Sequence, residues 1–349
     1  MSTDAQWKLK ALWDRLKKFD DSPDGSPDDF KLGDDSGQFW HRFDRKSIVA
    51  VEAAYAAGRP LLVRGEPGIG KSQLARAVAV VLGIPFHSYV VDERSEKDDL
   101  LFHYDAVSRL SEAQMIGALA AQGDKQEEIR TRMRAGNFIK PGVMWWAFNP
   151  DDANKVDCMQ IDSEPTSTPQ SEVSNQSAPS DLPTCIVLID EIDKADPAVP
   201  NGLLECLANG QFPVPIINRI IRCDRDKSRP LILVTTNEER ELPEAFLRRC
   251  LVHEMVFPKE KNEAIENLSK RARANWTTTS IDDEVIGKVC EYLLDDREKA
   301  KQDSGYRPGF SEFLDILRVL DKLHPADKDS QITALDEIRE FALKKNKSH

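Results

Sequence analysis

The chain has 349 residues, 40% of them apolar and 31% charged, with a formal net charge of −12. That is apolar sequence enough for about two domains with a sizeable core. The acidic balance argues against a general binder of nucleic acid or of anionic membrane, whose contact surfaces are basic.

Taken in chain order, Ala5 to Phe19 places Leu9, Leu12, Trp13 and Leu16 at helical spacing, either as an edge of the main domain or as a docking segment. A Ser/Pro/Asp/Gly stretch, Asp20 to Asp35, reads as a linker. Ser47 to Ala57 is helical in pattern, and Pro60 to Arg64 reads as a short buried strand. It runs into Gly65-Glu66-Pro67-Gly68-Ile69-Gly70-Lys71-Ser72. A helix follows with Leu74, Ala75, Val78 and Leu82 on one face and Gly83 as its stop. Phe86 to Val91, Cys185 to Ile189, Leu231 to Thr235 and Leu251 to Phe257 are further strand-like runs. Strands alternating with helices predict a parallel five-stranded sheet between helices, an α/β core over 41–258.

Within that core the span 93–148 is long for a simple crossover. Val143 to Phe148 is an apolar cluster expected in the core. The stretch from about 150 to 183, polar above all from Asp162 to Asp181, is expected to be disordered, because it cannot bury enough surface to offset its ordering entropy. After Pro258 the strands stop. Helical patterns at Lys259–Asn275, Asp282–Leu294, Pro308–Leu323 and Gln331–Lys344 predict a small all-helical domain over 259–349, while 1–40 holds the N-terminal helix and linker.

The start, Met1-Ser2-Thr3-Asp4, lacks the layout of a secretion signal, and no apolar run approaches bilayer-spanning length, so a cytoplasmic protein without membrane insertion is expected. The six cysteines (158, 185, 206, 223, 250, 290) form no C-x-x-C pair. They read as reduced and mostly as small core residues, and no H-E-x-x-H is present to suggest a zinc site.

The chemistry concentrates in two motifs. Gly65 to Ser72 fits G-x-x-x-x-G-K-[ST] between a strand and a helix. Glycines let backbone N–H groups curl around phosphate oxygens, and the positive end of the following helix adds to the anion site. Lys71 then supplies a point charge for the β- and γ-phosphates of ATP, and the Ser72 hydroxyl a ligand for Mg²⁺. The buried run Cys185 to Ile189 delivers Asp190 and Glu191 at its end. Asp190 suits a second Mg²⁺ contact, and Glu191 can orient and deprotonate an attacking water. Asp196-Pro197 then caps a helix burying Val199, Leu203 and Leu207.

The order of G-E-P-G-I-G-K-S, C-I-V-L-I-D-E-I-D-K-A and L-I-L-V-T-T-N-E-E-R-E-L-P-E-A-F-L-R-R-C resembles the AAA+ ATPases, and within them the MoxR branch, over about Arg42 to Leu323. The resemblance implies a P-loop core with a helical lid, a ring of subunits, hexameric in expectation, and hydrolysis of ATP to ADP and phosphate. Asn237 matches the residue that senses the γ-phosphate. The arginine finger, which stabilises charge in a neighbouring subunit, falls on Arg248 or Arg249, since the family's Asp-Arg is Arg-Arg here. Tyr306 to Glu312 resembles the second sensor, with Arg307 its candidate. Hairpin arms are expected at Asp98–Tyr104 and Asn137–Gly142, with Phe102 and Tyr104 either contacting a substrate or packing locally, and a second hairpin at Phe212–Asp224. The implied partner is a protein client, in relatives often one with a von Willebrand A-type domain.

Two other functions stand beside this one: a nucleic-acid motor or loader, and a nucleotide-gated assembly switch in a bacterial defence system. The acidic balance and the lack of a basic-aromatic cluster weigh against the first, and Glu191 against the second. No N-K-x-D or L-S-G-G-Q is present to suggest a GTPase or an ABC-type ATPase.

Overall fold

The computed structural model describes residues 41, 43–119, 126–158, 182–223, 229–276, 279–302 and 307–342. The expected helix at Ala5–Phe19, its linker and most of the polar stretch lie outside them. The described chain forms two compact units.

One unit comprises Ala53–Leu62 and Leu82–Val252. It holds the five-stranded sheet, built from β1 (Leu61–Arg64), β2 (Phe86–Val90), β5 (Ile186–Asp190), β8 (Leu231–Thr236) and β9 (Leu251–Glu254) in the order β2-β5-β8-β1-β9. β1 and β9 run on into the second unit at their carboxyl ends. β5 pairs in parallel with β2, Phe86 opposite Ile186, and with β8, Ile186 opposite Leu231. Every residue of β8 is buried and so are the first four of β5, as expected of strands covered on both faces. Beside β1, Leu251 N donates to the Pro60 carbonyl at 2.9 Å.

The long crossover after β2 carries a hairpin, as the family resemblance implies. β3 (Phe102–Tyr104) pairs antiparallel with β4 (Ile139–Pro141), enclosing α3 (Ala106–Leu119) and α4 (Gln126–Arg132). Of the two alternatives for its aromatic residues, local packing holds for Phe102, which is buried in the main core. Tyr104 is half-buried, and its hydroxyl accepts a hydrogen bond from Arg109 at 2.7 Å. α5 (Val143–Phe148) lies against β2 and β5, burying Val143, Met144, Trp145, Ala147 and Phe148.

The next residues depart from expectation. The stretch expected to be disordered from about 150 begins as helix α6 (Pro150–Cys158), which buries Ala153 and Val156 one turn apart. Asp151 and Asp152 favour its positive end, and Trp145 donates its indole N–H to Asp152 at 3.0 Å. α7 (Ala198–Asn209) follows β5 and buries Val199 and Leu203, with Leu207 partly buried, before the hairpin of β6 (Gln211–Val214) and β7 (Arg219–Arg222). The last helix of the unit, α8 (Glu244–Arg249), packs on α7 and buries Phe246.

The second unit comprises the described parts of Met1–Glu52, Val63–Val81 and His253–His349. α1 (Arg45–Ala57) begins in it, capped by Asp44, whose carboxylate accepts from Ser47 N at 2.7 Å and Ser47 Oγ at 2.9 Å. Its other elements are the end of β1, the glycine loop, α2 (Lys71–Leu82) and four helices: α9 (Lys261–Asn275), α10 (Asp283–Gln302), α11 (Phe310–Leu323) and α12 (Lys328–Ala342). These four pack on one another through Leu268, Ile286, Val289, Leu293, Phe313, Leu317 and Leu335, all buried. α10 runs two turns past its expected end at Leu294. The residues beyond are polar, yet its buried face continues from Leu293 through the side chain of Arg297 to Ala300. Among the described residues no helix is long and apolar enough to cross a membrane. Of the cysteines, 185, 206, 250 and 290 are buried and 223 half-buried.

Candidate functional site

The glycine loop is shaped by backbone that side chains would obstruct. Gly65 and Gly68 have φ of +147° and +73°, in the left-handed region that disfavours L side chains. A Cβ on Gly65 would stand 2.3 Å from the carbonyl oxygen of Met255, and one on Gly68 2.6 Å from Ser311 Oγ. Ile69 is buried beneath the loop, and Ser72 is half-buried as the second residue of α2. Lys71, only 6% exposed, donates from Nζ to the carbonyls of Gly65 at 2.7 Å and Glu66 at 3.0 Å. The ammonium is thus bound at the mouth of the turn by the loop's own main chain.

The second unit's helices hold the same loop from the other side. Ser311, near the start of α11, donates through N at 3.2 Å and Oγ at 3.1 Å to the Gly68 carbonyl. Glu66 accepts from Arg297 at 2.5 Å and from Arg307 at 3.2 Å. Burial alone would raise the Glu66 carboxyl, but the hydrogen bonds and charges of Arg297 and then Arg307 hold it below its ordinary range. Arg297 also donates to the Pro308 carbonyl at 2.6 Å and lies 3.8 Å over the Phe257 ring, which stacks on Phe310. Arg307 was legible as a motif residue. Arg297 was not, because nothing local marks the third residue of a polar run as an ion-pair partner.

In the strand-bearing unit, Asp190, Glu191 and Asn237 come together at the carboxyl ends of β5 and β8. Thr235 donates its hydroxyl to Asp190 and accepts the N–H of Glu191 at 2.9 Å. Glu191 has a left-handed backbone (φ 58°), as does Glu238 (φ 60°), a cost that side-chain-bearing residues incur mainly at functional turns. The two carboxylate oxygens of Glu191 have different partners, Asn237 Nδ2 at 3.1 Å and Lys194 Nζ at 2.6 Å. That hydrogen bond and the Glu191 charge raise the Lys194 ammonium above its ordinary pKa. Beneath them Asp193, 2% exposed, accepts the backbone N–H of Glu239 at 2.9 Å and of Asn237 at 3.4 Å, fixing the turn that carries Asn237. Sequence reasoning missed Thr235, Asp193 and Lys194. The D-E-I-D-K string holds two of them, but their roles appear only once β8 lies beside β5.

Arg248 and Arg249 end α8, both exposed. Arg248 pairs with Glu244 of its own helix at 2.5 Å. Neither joins the Glu191 cluster among the described contacts of its unit.

Each unit carries groups chemically suited to a magnesium nucleotide. The glycine turn and the start of α2 make a backbone anion site with a lysine in it. Ser72 and Asp190 carry the hard oxygen donors that Mg²⁺ prefers. Among the described residues no group of three His, Cys, Asp or Glu stands where it could hold a metal ion.

A family model described as AAA domain (dynein-related subfamily) matches residues 60–250, more than half the chain. No curated protein matches it. Among solved structures, the chain is similar to the crystal structure of a candidate ATPase from Cytophaga hutchinsonii, with 14% identity and a TM-score of 0.39 over 97% of this chain and 89% of that one.

Proposed function

The chain belongs to the AAA domain family, dynein-related subfamily, and from that premise we propose that it is a Mg²⁺-dependent ATPase of the MoxR-like kind. It works as a ring, hexameric in this reading, and spends ATP hydrolysis on remodelling or activating a protein client, of which a von Willebrand A-type domain protein is one class. The observation that carries the reading is Glu191: a carboxylate after a buried strand, on a left-handed turn, bonded to Asn237 and Lys194. A pure nucleotide switch can dispense with such a group.

In this reading the main-chain N–H groups of 65–70 and the Lys71 ammonium bind the phosphates. Mg²⁺, held by the Ser72 hydroxyl and the Asp190 carboxylate, would offset negative charge on the phosphoryl oxygens. Glu191 accepts a proton from the attacking water as its oxygen bonds to the γ-phosphorus, and the bond to the ADP oxygen breaks. Asn237 orients Glu191 and meets the γ-phosphate. Arg307 reports on the same phosphate from the helical unit. Arg248 or Arg249 of one subunit stabilises the transition-state charge of its neighbour, a contribution of roughly 10³–10⁵ in rate for arginine fingers generally.

The test is phosphate release from Mg·ATP against protein concentration. The rate per protomer is expected to rise as rings assemble, and the Arg248→Ala/Arg249→Ala variant is expected to show no such rise. A concentration-independent rate, equal in that variant, overturns the ring-and-finger reading. Added DNA, RNA and proteins then sort the client, and strong stimulation by nucleic acid alone would move the function to a loader.

A further inference from the structure

Arg59 precedes Pro60 and the four residues of β1, and no motif marks it. Its guanidinium is committed to one place. Nε donates to the Arg249 carbonyl at 2.9 Å, and Nη2 donates to the Arg248 carbonyl. These carbonyls end α8, where the helix has no further N–H groups to bond them. A cation there also complements the negative end of the helix. The next residue adds a third tie, because the Pro60 carbonyl accepts the N–H of Leu251 at 2.9 Å. Residues 59–60 therefore grip 248–251 with two side-chain bonds and one main-chain bond, while the Arg248 and Arg249 side chains stay exposed.

α8 is a six-residue helix, too short to hold its own last turn. Phe246 holds its middle against the core, and the bonds from Arg59 and Pro60 hold the end that carries its two arginines. We propose that Arg59 is a positioning residue for the arginine finger: it clamps the end of α8 so that the arginine lent to the neighbouring subunit is aimed before the subunits meet. The forked guanidinium suits the task, since it spans two adjacent carbonyls, whereas a lysine ammonium is a point donor on a flexible stem. The proposal rests on the reading of Arg248 or Arg249 as the finger.

Mixed rings test it and keep the two readings apart. A Lys71→Ala subunit carries an intact finger but binds nucleotide poorly. An Arg248→Ala/Arg249→Ala subunit binds nucleotide but has no finger to lend. Each is expected to be nearly inactive alone, and a co-assembled mixture, followed by size-exclusion chromatography, is expected to recover ATPase activity at mixed interfaces. Silence of that mixture despite co-assembly would refute the finger itself and the proposal with it.

Given recovery, Arg59→Ala is then added to the finger-donating Lys71→Ala subunit. The recovered rate is expected to fall tenfold or more, with Arg59→Lys in the donor falling between. Placed instead in the subunit that lacks the finger, Arg59→Ala is expected to leave the recovered rate within twofold. An undiminished rate with the Arg59→Ala donor, or an equal loss from both placements, overturns the proposal, the second by showing a general structural role.

Discussion

The loop at the end of β1 and the acidic cluster at the ends of β5 and β8 hold charges by opposite means. In the loop, Lys71 is bound by two main-chain carbonyls and the turn is made by glycines, so the geometry belongs to a short contiguous segment. In the cluster, Glu191 is held by side chains, one three residues away and one 46 residues away. A backbone-built site fails where its glycines are replaced and depends on few side chains, Lys71 above all. A side-chain-built site can lose one function while keeping the rest, because each partner is a separate bond. The expectation is a loop that governs whether nucleotide is bound and a cluster that governs whether it is cleaved.

The largest effect should separate the two directly. Glu191→Gln keeps the size of the side chain and one of its two acceptor oxygens but cannot accept the proton, so turnover should drop roughly 10²–10⁴-fold with ATP affinity within a few-fold of normal. Lys71→Ala should instead weaken ATP binding itself, by tenfold or more, equivalent to about 1.4 kcal/mol or more. Phosphate release and equilibrium nucleotide titration on both variants decide this. If Lys71→Ala binds normally or Glu191→Gln turns over normally, the division between regions is broken.

A smaller effect probes the loop alone. Gly68→Ala must place a side chain at φ +73°, with its Cβ 2.6 Å from Ser311 Oγ. A loss of about 1–2 kcal/mol in stability is expected from the left-handed backbone alone, measured by urea denaturation. Ser311→Ala in the same chain should return only the steric part, because the backbone strain remains. Complete recovery in the double variant would mean that the turn is not what requires glycine.

The smallest effect belongs to the strand-bearing unit. His87 of β2 stacks on Trp146 at 5.8 Å, and burial lowers its pKa from 6.5 to about 4. The unfolded chain binds the proton more readily between those values, so this contribution to stability is complete above pH 6.5 and is lost as pH falls toward 4. At pH 5.5 the loss should be on the order of 1 kcal/mol relative to pH 7.5. Denaturant titrations followed by tryptophan fluorescence should show a loss smaller by about that amount in His87→Gln than in the native chain, the remainder coming from His41 and His253, whose pKa values burial also lowers.

Much of this arrangement could be read in advance. The apolar runs ending at Arg64, Ile189 and Thr235 announce strands because a doubly covered strand leaves little room for charged residues. The hairpin arms around Phe102 and Ile139 fell where the family pattern put them. The misjudged elements were those whose order depends on a distant partner. α6 looked like the start of a polar tail until Trp145 bonded Asp152. The last two turns of α10 looked solvated until Arg297 found Glu66 and the Phe257 ring.

By itself the sequence determined the glycine loop with its lysine, the Asp190-Glu191 pair, the parallel sheet and the helical segment after it, because each is specified by residues within one short window. Only the tertiary structure decided that Thr235 and Asn237 would hold Asp190 and Glu191, that Arg297 and Arg307 would share Glu66, and that Arg59 would end α8. Those bonds join positions tens to hundreds of residues apart, and such a pairing exists only after the intervening chain has folded its ends together.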